Sequence, residues 1–129
     1  LPLNNNASLA AIYEKNANCI VGKENVNHIG HRTGSTDMGD LSQIIPTIHP
    51  YTGGVSGVGH GSDYVVYDYE TSVINPAKIM AMSIIDLLYN NATKAKEIVN
   101  TSKLPLTKKQ YLNTLRKLAT TENWEGNML

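Results

Sequence analysis

The spacing of apolar residues along the chain predicts three substantial helices. Apolar positions at helical spacing follow an asparagine run that can cap a helix, so we expect a helix over roughly residues 7–18. The longest periodic pattern begins near Pro76, a residue suited to the first turn of a helix. Asp86 is expected on the solvated side of that helix. A last amphipathic helix is predicted to start near Thr107.

Between the first two of these helices, the pattern predicts short strands and turns. Ser35 or Thr36 can cap a short helix that Pro46 ends. A compact β-prone run over residues 47–51 predicts a buried strand, and residues 64–67 predict another. So small a sheet could scarcely cover its own helices. The chain is therefore predicted to be part of a larger α/β domain, and its opening Leu-Pro-Leu points to a piece of a longer protein.

Composition narrows the class of protein. The chain has 129 residues, formal net charge zero and one cysteine, Cys19. This length suits a single domain, and a neutral surface argues against nucleic acid or an anionic membrane as the main partner. The single cysteine excludes an internal disulfide and is expected to be a small core residue, and no apolar run suggests a membrane span. We therefore predict a cytoplasmic protein.

Candidate chemistry is concentrated in three glycine-rich polar turns within about thirty residues, a pattern typical of ligand-binding loops. His60 lies between two glycines just before the second predicted strand, and a neutral imidazole is a common metal ligand. The alternative is a loop histidine that caps a turn. No second histidine, cysteine or carboxylate lies at the spacing of a self-contained metal site. Any further ligands must therefore come from elsewhere.

A second group of polar residues could line a substrate site. His49 ends the first predicted strand and could contact substrate or metal, or be a satisfied strand-end histidine. Asp37 can interact with a helix N-terminus, which is a structural role, whereas the same N-terminus with Ser35 and Thr36 could bind a substrate carboxylate. Arg32 is a second possible carboxylate partner because of its planar guanidinium.

Four blocks of the sequence together resemble one protein family. Residues 34–42 (GSTDMGDLS), 48–51 (IHPY), 59–64 (GHGSDY) and 76–88 follow the order and spacing of the C-terminal part of metal-dependent amidohydrolases and exopeptidases. That family includes aminoacylases, glutamate carboxypeptidases and aminobenzoyl-glutamate hydrolases. Each block alone is a weak signal, whereas four in order are fairly specific.

The resemblance implies a fold and a function. It implies that residues 1–129 are a single segment, the C-terminal portion of a three-layer α/β/α zinc-exopeptidase-like catalytic domain in a homo-oligomeric enzyme. Similar enzymes hold two divalent metal ions, zinc or manganese, and hydrolyse N-acyl, aryl-amide or dipeptide bonds to an amino acid. Only His60 maps onto one of the family's metal ligands. Ser35, Thr36, Asp37 and His49 map onto the substrate side.

The remaining ligands and the general base of such enzymes have no counterpart in these residues. The resemblance therefore implies that the remainder of the catalytic domain is a partner of this segment, and that the segment alone is inactive. Two alternatives stay open. The chain could be a non-catalytic binding or assembly module, or a degenerate family member that keeps the fold and has lost the metals.

Overall fold

The computed structural model describes residues 1–30 and 34–121 of the chain, and this part is mainly helical. Its helices and strands are, in order, α1 (Ala7–Val21), α2 (Met38–Leu41), β1 (Val55–Ser56), β2 (Val65–Val66), α3 (Asn75–Thr101) and α4 (Lys108–Leu118). A short 3-10 turn, Lys23–Asn25, follows α1, and a π-helical turn, Glu70–Ile74, leads directly into α3.

Local capping explains where α1 begins and ends. The side chain of Asn6 accepts a hydrogen bond from the backbone N–H of Leu9 at 3.0 Å, which satisfies one of the free donors at the helix start. Gly22, with φ of +82°, ends the helix and donates its N–H to the carbonyl of Asn18. The helix predicted over residues 7–18 is confirmed and extends to Val21.

The other two predicted helices are also confirmed. Pro76 lies in the first turn of α3, directly after the π-helical turn Glu70–Ile74. Thr107 and Gln110 form a reciprocal capping box at the start of α4. Ahead of α3, the hydroxyl of Thr71 donates to Asp68 at 2.6 Å, and this hydrogen bond lowers the pKa of the Asp68 carboxyl group.

The two longest helices, α1 and α3, pack against each other through a buried polar group. Asn16 is 3% exposed, and its amide donates to the hydroxyl of Ser83 at 3.2 Å and to the carboxylate of Asp86 at 3.1 Å. Lys15 lies 3.6 Å from the same carboxylate. Asp86 therefore interacts with α1, while its side chain stays 36% exposed. Cys19, expected in the core, is exposed.

The N-terminal residues lie along the segment that follows α2. The carbonyl oxygen of Pro2 accepts a hydrogen bond from the side-chain amide of Gln43 at 2.6 Å. The backbone N–H of Asn4 donates a hydrogen bond to the hydroxyl of Ser42 at 2.9 Å. Beyond this point Asn5 and Thr47 form a parallel β-bridge. These hydrogen bonds connect parts of the chain about forty residues apart and leave Ser42, Gln43 and Thr47 buried.

The sheet in the described part of the chain is small. Strands β1 and β2 pair antiparallel, with Val55 opposite Val66 and Ser56 opposite Val65. The predicted strand over residues 64–67 is confirmed in this shorter form, whereas the run over residues 47–51 contributes a bridge at Thr47 instead of a strand. A three-layer α/β/α domain needs many more strands than these. That arrangement stays a prediction about a larger protein.

Helix α3 contains a local break. Tyr89 leaves helical geometry, and Asn90, Asn91 and Ala92 have positive φ angles of 50°, 58° and 58°. Asparagine tolerates this left-handed conformation better than other residues that carry a Cβ atom, but alanine does not. Ala92 is therefore a strained position.

The helical stretch Glu70–Thr101, which contains α3, is 32 residues long with a hydropathy of 1.2 over its most apolar window. Within the described residues it is the one helix that meets the length and composition of a membrane span, although the sequence suggested no such run. A core helix of a soluble protein has the same length and composition. Of the most apolar stretch of this helix, 11% is buried. The predicted cytoplasmic location stays untested.

We expect Asn16→Ala to lower the free energy of unfolding by about 1–3 kcal/mol, because the hydrogen bonds of the buried Asn16 amide to the hydroxyl of Ser83 and the carboxylate of Asp86 are lost. Urea unfolding monitored by circular dichroism would measure the loss. Asn113→Ala makes the same chemical change at an exposed position of α4 and should stay within about 0.5 kcal/mol of wild type. Equal effects of the two substitutions would contradict the structural role of Asn16.

We expect Ala92→Gly to raise the free energy of unfolding by about 0.5–1 kcal/mol, because glycine adopts a φ of 58° without a Cβ clash. Ala95→Gly, the matched control in the regular part of α3, should lower it by about 1 kcal/mol through the loss of helix propensity. Thermal unfolding of both variants would decide the point. If Ala92→Gly destabilises as much as Ala95→Gly, the break in α3 does not exist in solution.

Candidate functional site

An open cleft of about 1350 Å³ lies beside α1. One wall is formed by α1, which contributes Tyr13 and Ala17 at a spacing of four residues, so that both lie on one face of the helix. The opposite side is formed by residues 34–36 and 48–53. The cleft thus lies where the first two glycine-rich turns of the sequence meet.

Three of the predicted site residues line this cleft together: Ser35, Thr36 and His49. They belong to two blocks of the sequence separated by the helix α2 and the turns that follow it. The hydroxyl of Thr36 also accepts from the N–H of Met38 at 3.4 Å, which fixes the turn into α2. The structure therefore brings a hydroxyl pair and an imidazole to one surface.

His49 is the best-defined polar group in the cleft. Its backbone N–H donates to the side chain of Asn5 at 3.1 Å, and its ring lies 5.0 Å from the ring of Tyr51 at an angle of 32°. Its Nδ1 atom is buried without a hydrogen-bond partner among the described residues. A buried lone pair costs less than a buried unpaired N–H. We therefore assign the proton of the neutral ring to Nε2, which makes His49 a hydrogen-bond donor.

Asp37 lies outside the cleft lining. Its side chain is exposed and makes no capping hydrogen bond to α2. Its backbone carbonyl accepts hydrogen bonds from the backbone N–H groups of Asp40 and Leu41. Helix α2 has four residues, so its dipole is small and the predicted role of its N-terminus in substrate binding gains no support here. Arg32 and its neighbours 31 and 33 lie outside the described residues.

His60 lies apart from the cleft, in the loop of the β1–β2 hairpin. Its φ angle is +66°, its side chain is exposed, and the loop is closed by a hydrogen bond from Gly61 to Val58 at 2.7 Å. Asp63 also accepts from the N–H of Val58 at 3.3 Å. Across residues 1–30 and 34–121, no three histidine, cysteine or carboxylate side chains form a group that could hold a metal ion. These residues alone do not form a metal site, and His60 would supply one imidazole.

The charges around the cleft were not anticipated from the sequence. Glu14 lies 3.2 Å from the ring of His28, and this pair is the charged feature of the α1 wall. No lysine or arginine side chain lines the cleft in the part of the chain that the structure describes. Burial raises the pKa of the Tyr13 hydroxyl group. The described lining therefore offers apolar surface together with hydrogen-bonding groups.

The sequence contained a signal for only part of this site. The helical spacing of Leu9, Ile12 and Tyr13 predicted the helix that forms one wall of the cleft, but the residues that this helix faces were unknown. Glu14 and His28 are too far apart along the chain for a local pattern to pair them. Comparison of this chain with models of protein families, with characterised proteins and with solved structures finds no match.

We expect Gly57→Ala to disrupt the loop that carries His60. Gly57 has a φ of +91°, and a Cβ atom there would lie 2.6 Å from the carbonyl carbon of Asp63, so the free energy of unfolding should fall by about 1–3 kcal/mol. Gly59→Ala is the matched control, because a Cβ atom at Gly59 meets nothing within 4 Å. Denaturant unfolding together with NMR shifts of β1 and β2 would test this. Equal tolerance of both substitutions would show that the loop has another conformation.

Proposed function

We propose that this chain forms the C-terminal part of the catalytic domain of a dinuclear metal-dependent amidohydrolase or peptidase. The observation that supports the proposal best is the meeting of Ser35, Thr36 and His49 in one cleft. These residues belong to two of the four blocks that resemble that family, and the blocks are separated along the chain. If the blocks resembled the family only by chance, residues from two separate blocks would have no reason to line one cleft.

Within this proposal the cleft binds the substrate. His49, with its proton on Nε2, donates a hydrogen bond to a carbonyl or carboxylate oxygen of the substrate. Ser35 and Thr36 add hydroxyl groups that can donate or accept, and Tyr51 and Tyr13 offer aromatic surface for an apolar side chain or an aryl group. The substrate is an N-acyl, aryl-amide or dipeptide compound.

The metals belong to the complete protein in this proposal. His60 supplies one ligand, and its exposed position in the hairpin loop leaves the imidazole accessible to a metal held mainly by other residues. When bound, such metals polarise the amide carbonyl and activate water. The family's remaining ligands and its general base have no counterpart in this sequence, so the 129-residue chain by itself should be inactive.

To test the proposal, the longest reading frame that contains this chain would be purified and its metal content measured, with amide hydrolysis assayed on the same samples. Wild type should carry about two divalent ions per chain, and His60→Ala should lose about one, together with at least about 100-fold of kcat/KM. Ser62→Ala lies in the same exposed loop, carries no metal-binding group and should behave as wild type in both measurements.

Each outcome decides between the proposal and its alternatives. Metal content and hydrolysis that survive in His60→Ala would remove His60 from the site. Absence of both metal and hydrolysis from folded wild type would overturn the amidohydrolase proposal. A non-catalytic binding module or a degenerate family member would then be the better interpretation. Hydrolysis by the 129-residue chain alone would contradict the division of the site between two parts of a protein.

A further inference from the structure

The backbone of His49 is held by a side chain at a point where a β-ladder would use a backbone carbonyl. Asn5 and Thr47 form a parallel bridge, and the N–H of Asn6 donates to the carbonyl of Thr47 at 2.8 Å. In a parallel ladder the hydrogen bonds are evenly spaced along both strands. The next hydrogen bond of this ladder would therefore run from the N–H of His49 to the carbonyl of Asn6.

That carbonyl is already used by α1. Asn6 is the N-cap of the helix, and its carbonyl oxygen accepts the first helical hydrogen bond, from the N–H of Ala10 at 2.9 Å. The chain turns into α1 at this residue, so the ladder ends at the bridge. The N–H of His49 donates instead to the side-chain oxygen of Asn5 at 3.1 Å. The side chain of Asn5 thus replaces the missing ladder hydrogen bond.

The three consecutive asparagines at the start of the chain have different contacts. Asn4 is exposed, lies outside the cleft lining and contacts Ser42 through its backbone N–H. The side chain of Asn6 caps α1. Asn5 lies in the cleft lining, and its side chain hydrogen-bonds to the segment that carries His49. The contact with His49 is therefore a property of position 5 and is not shared by its neighbours.

The imidazole of His49 depends on this backbone contact for its position. Its Nδ1 atom is buried without a hydrogen-bond partner among the described residues, so the ring is not anchored through that nitrogen. The ring lies 5.0 Å from the ring of Tyr51, and this contact limits its tilt. A small shift of the backbone would move the Nε2 donor, and a hydrogen bond weakens steeply when its length and angle depart from the optimum.

We propose that Asn5 is a positioning residue for His49. Its amide oxygen fixes the backbone of His49 where the ladder ends, so that the imidazole lines the cleft together with Ser35 and Thr36. This inference rests on the proposed function in one respect, which is that His49 donates a hydrogen bond to the substrate. The contact between Asn5 and His49 is exposed, so water can satisfy the freed N–H when Asn5 is replaced, and the protein should stay folded.

Amide hydrogen exchange in the 129-residue chain would test the contact without any assay of activity. We expect Asn5→Ala to speed exchange of the His49 amide at least about tenfold, because this amide loses its acceptor and opens to water more often. Asn5→Asp keeps an acceptor oxygen and should restore slow exchange. Asn4→Ala is the matched control and should leave the exchange rate unchanged, because the contact of Asn4 with Ser42 uses the backbone. Circular dichroism would establish that each variant is folded.

Kinetics of the longest reading frame that contains this chain would test the consequence for the substrate. Asn5→Ala should raise KM about tenfold and change kcat less than about twofold, the pattern of a lost binding contact. Asn5→Asp should restore KM. In a His49→Ala background, Asn5→Ala should cause no further change, because a positioning residue acts through the residue that it positions. A general structural role would raise KM or lower kcat in both backgrounds.

Three results would overturn the proposal. The first is unchanged exchange of the His49 amide in Asn5→Ala. The second is an Asn5→Asp variant that behaves like Asn5→Ala in exchange and in KM. The third is an equal effect of Asn5→Ala on KM in the presence and absence of His49. Faster exchange in Asn5→Ala and its rescue by Asn5→Asp, in a longer protein that hydrolyses nothing, would support the hold of Asn5 on His49 and reject the hydrolase.

Discussion

The described structure depends on the polar contact between α1 and α3. Asn16 is nearly fully buried and joins α1 to both Ser83 and Asp86, whereas few apolar side chains are buried at this contact. The fully buried hydrophobic residues in the described part are Ala17, Ile79 and Ile98. So small an apolar core gives little hydrophobic stabilisation, because this scales with the area removed from water. The asparagine therefore fixes how the two helices lie against each other, and a polar contact of this kind specifies geometry more than it adds stability.

A second set of hydrogen bonds places the cleft. The N-terminal residues lie along residues 39–47, and the buried side chains of Ser42 and Gln43 fix both the turn after α2 and the path of the chain toward His49. Gly39 is needed at this crossing, because a Cβ atom there would collide with the carbonyl of Leu1. The positions of Ser35, Thr36 and His49 in one cleft thus follow from backbone contacts between distant parts of the chain.

The sequence predicted the parts of this structure that depend on local signals. Local signals start each helix: Asn6 and Thr107 are N-caps, and Pro76 lies in the first turn of α3. The spacing of apolar residues located all three helices. It failed where contacts between distant residues decide the outcome. The hydrogen bond from Asn16 to Asp86 was not predicted, because the two residues are seventy positions apart along the chain. The run over residues 47–51 has the composition of a strand, but strand pairing needs a neighbour, and Thr47 alone has one here.

The same reasoning explains how much of the candidate site the sequence contained. Ser35, Thr36 and His49 could be proposed because their residue types and glycine-rich surroundings are local, whereas their meeting is a tertiary property. His60 lies in the loop of a hairpin that is closed by its own hydrogen bonds, and the hairpin joins the cleft lining at its base, where Gly53 precedes β1. If His60 acts on a substrate held in the cleft, a further element must bridge the two. In the function that we propose, that element would belong to the rest of the catalytic domain, which would also have to supply the remaining metal ligands.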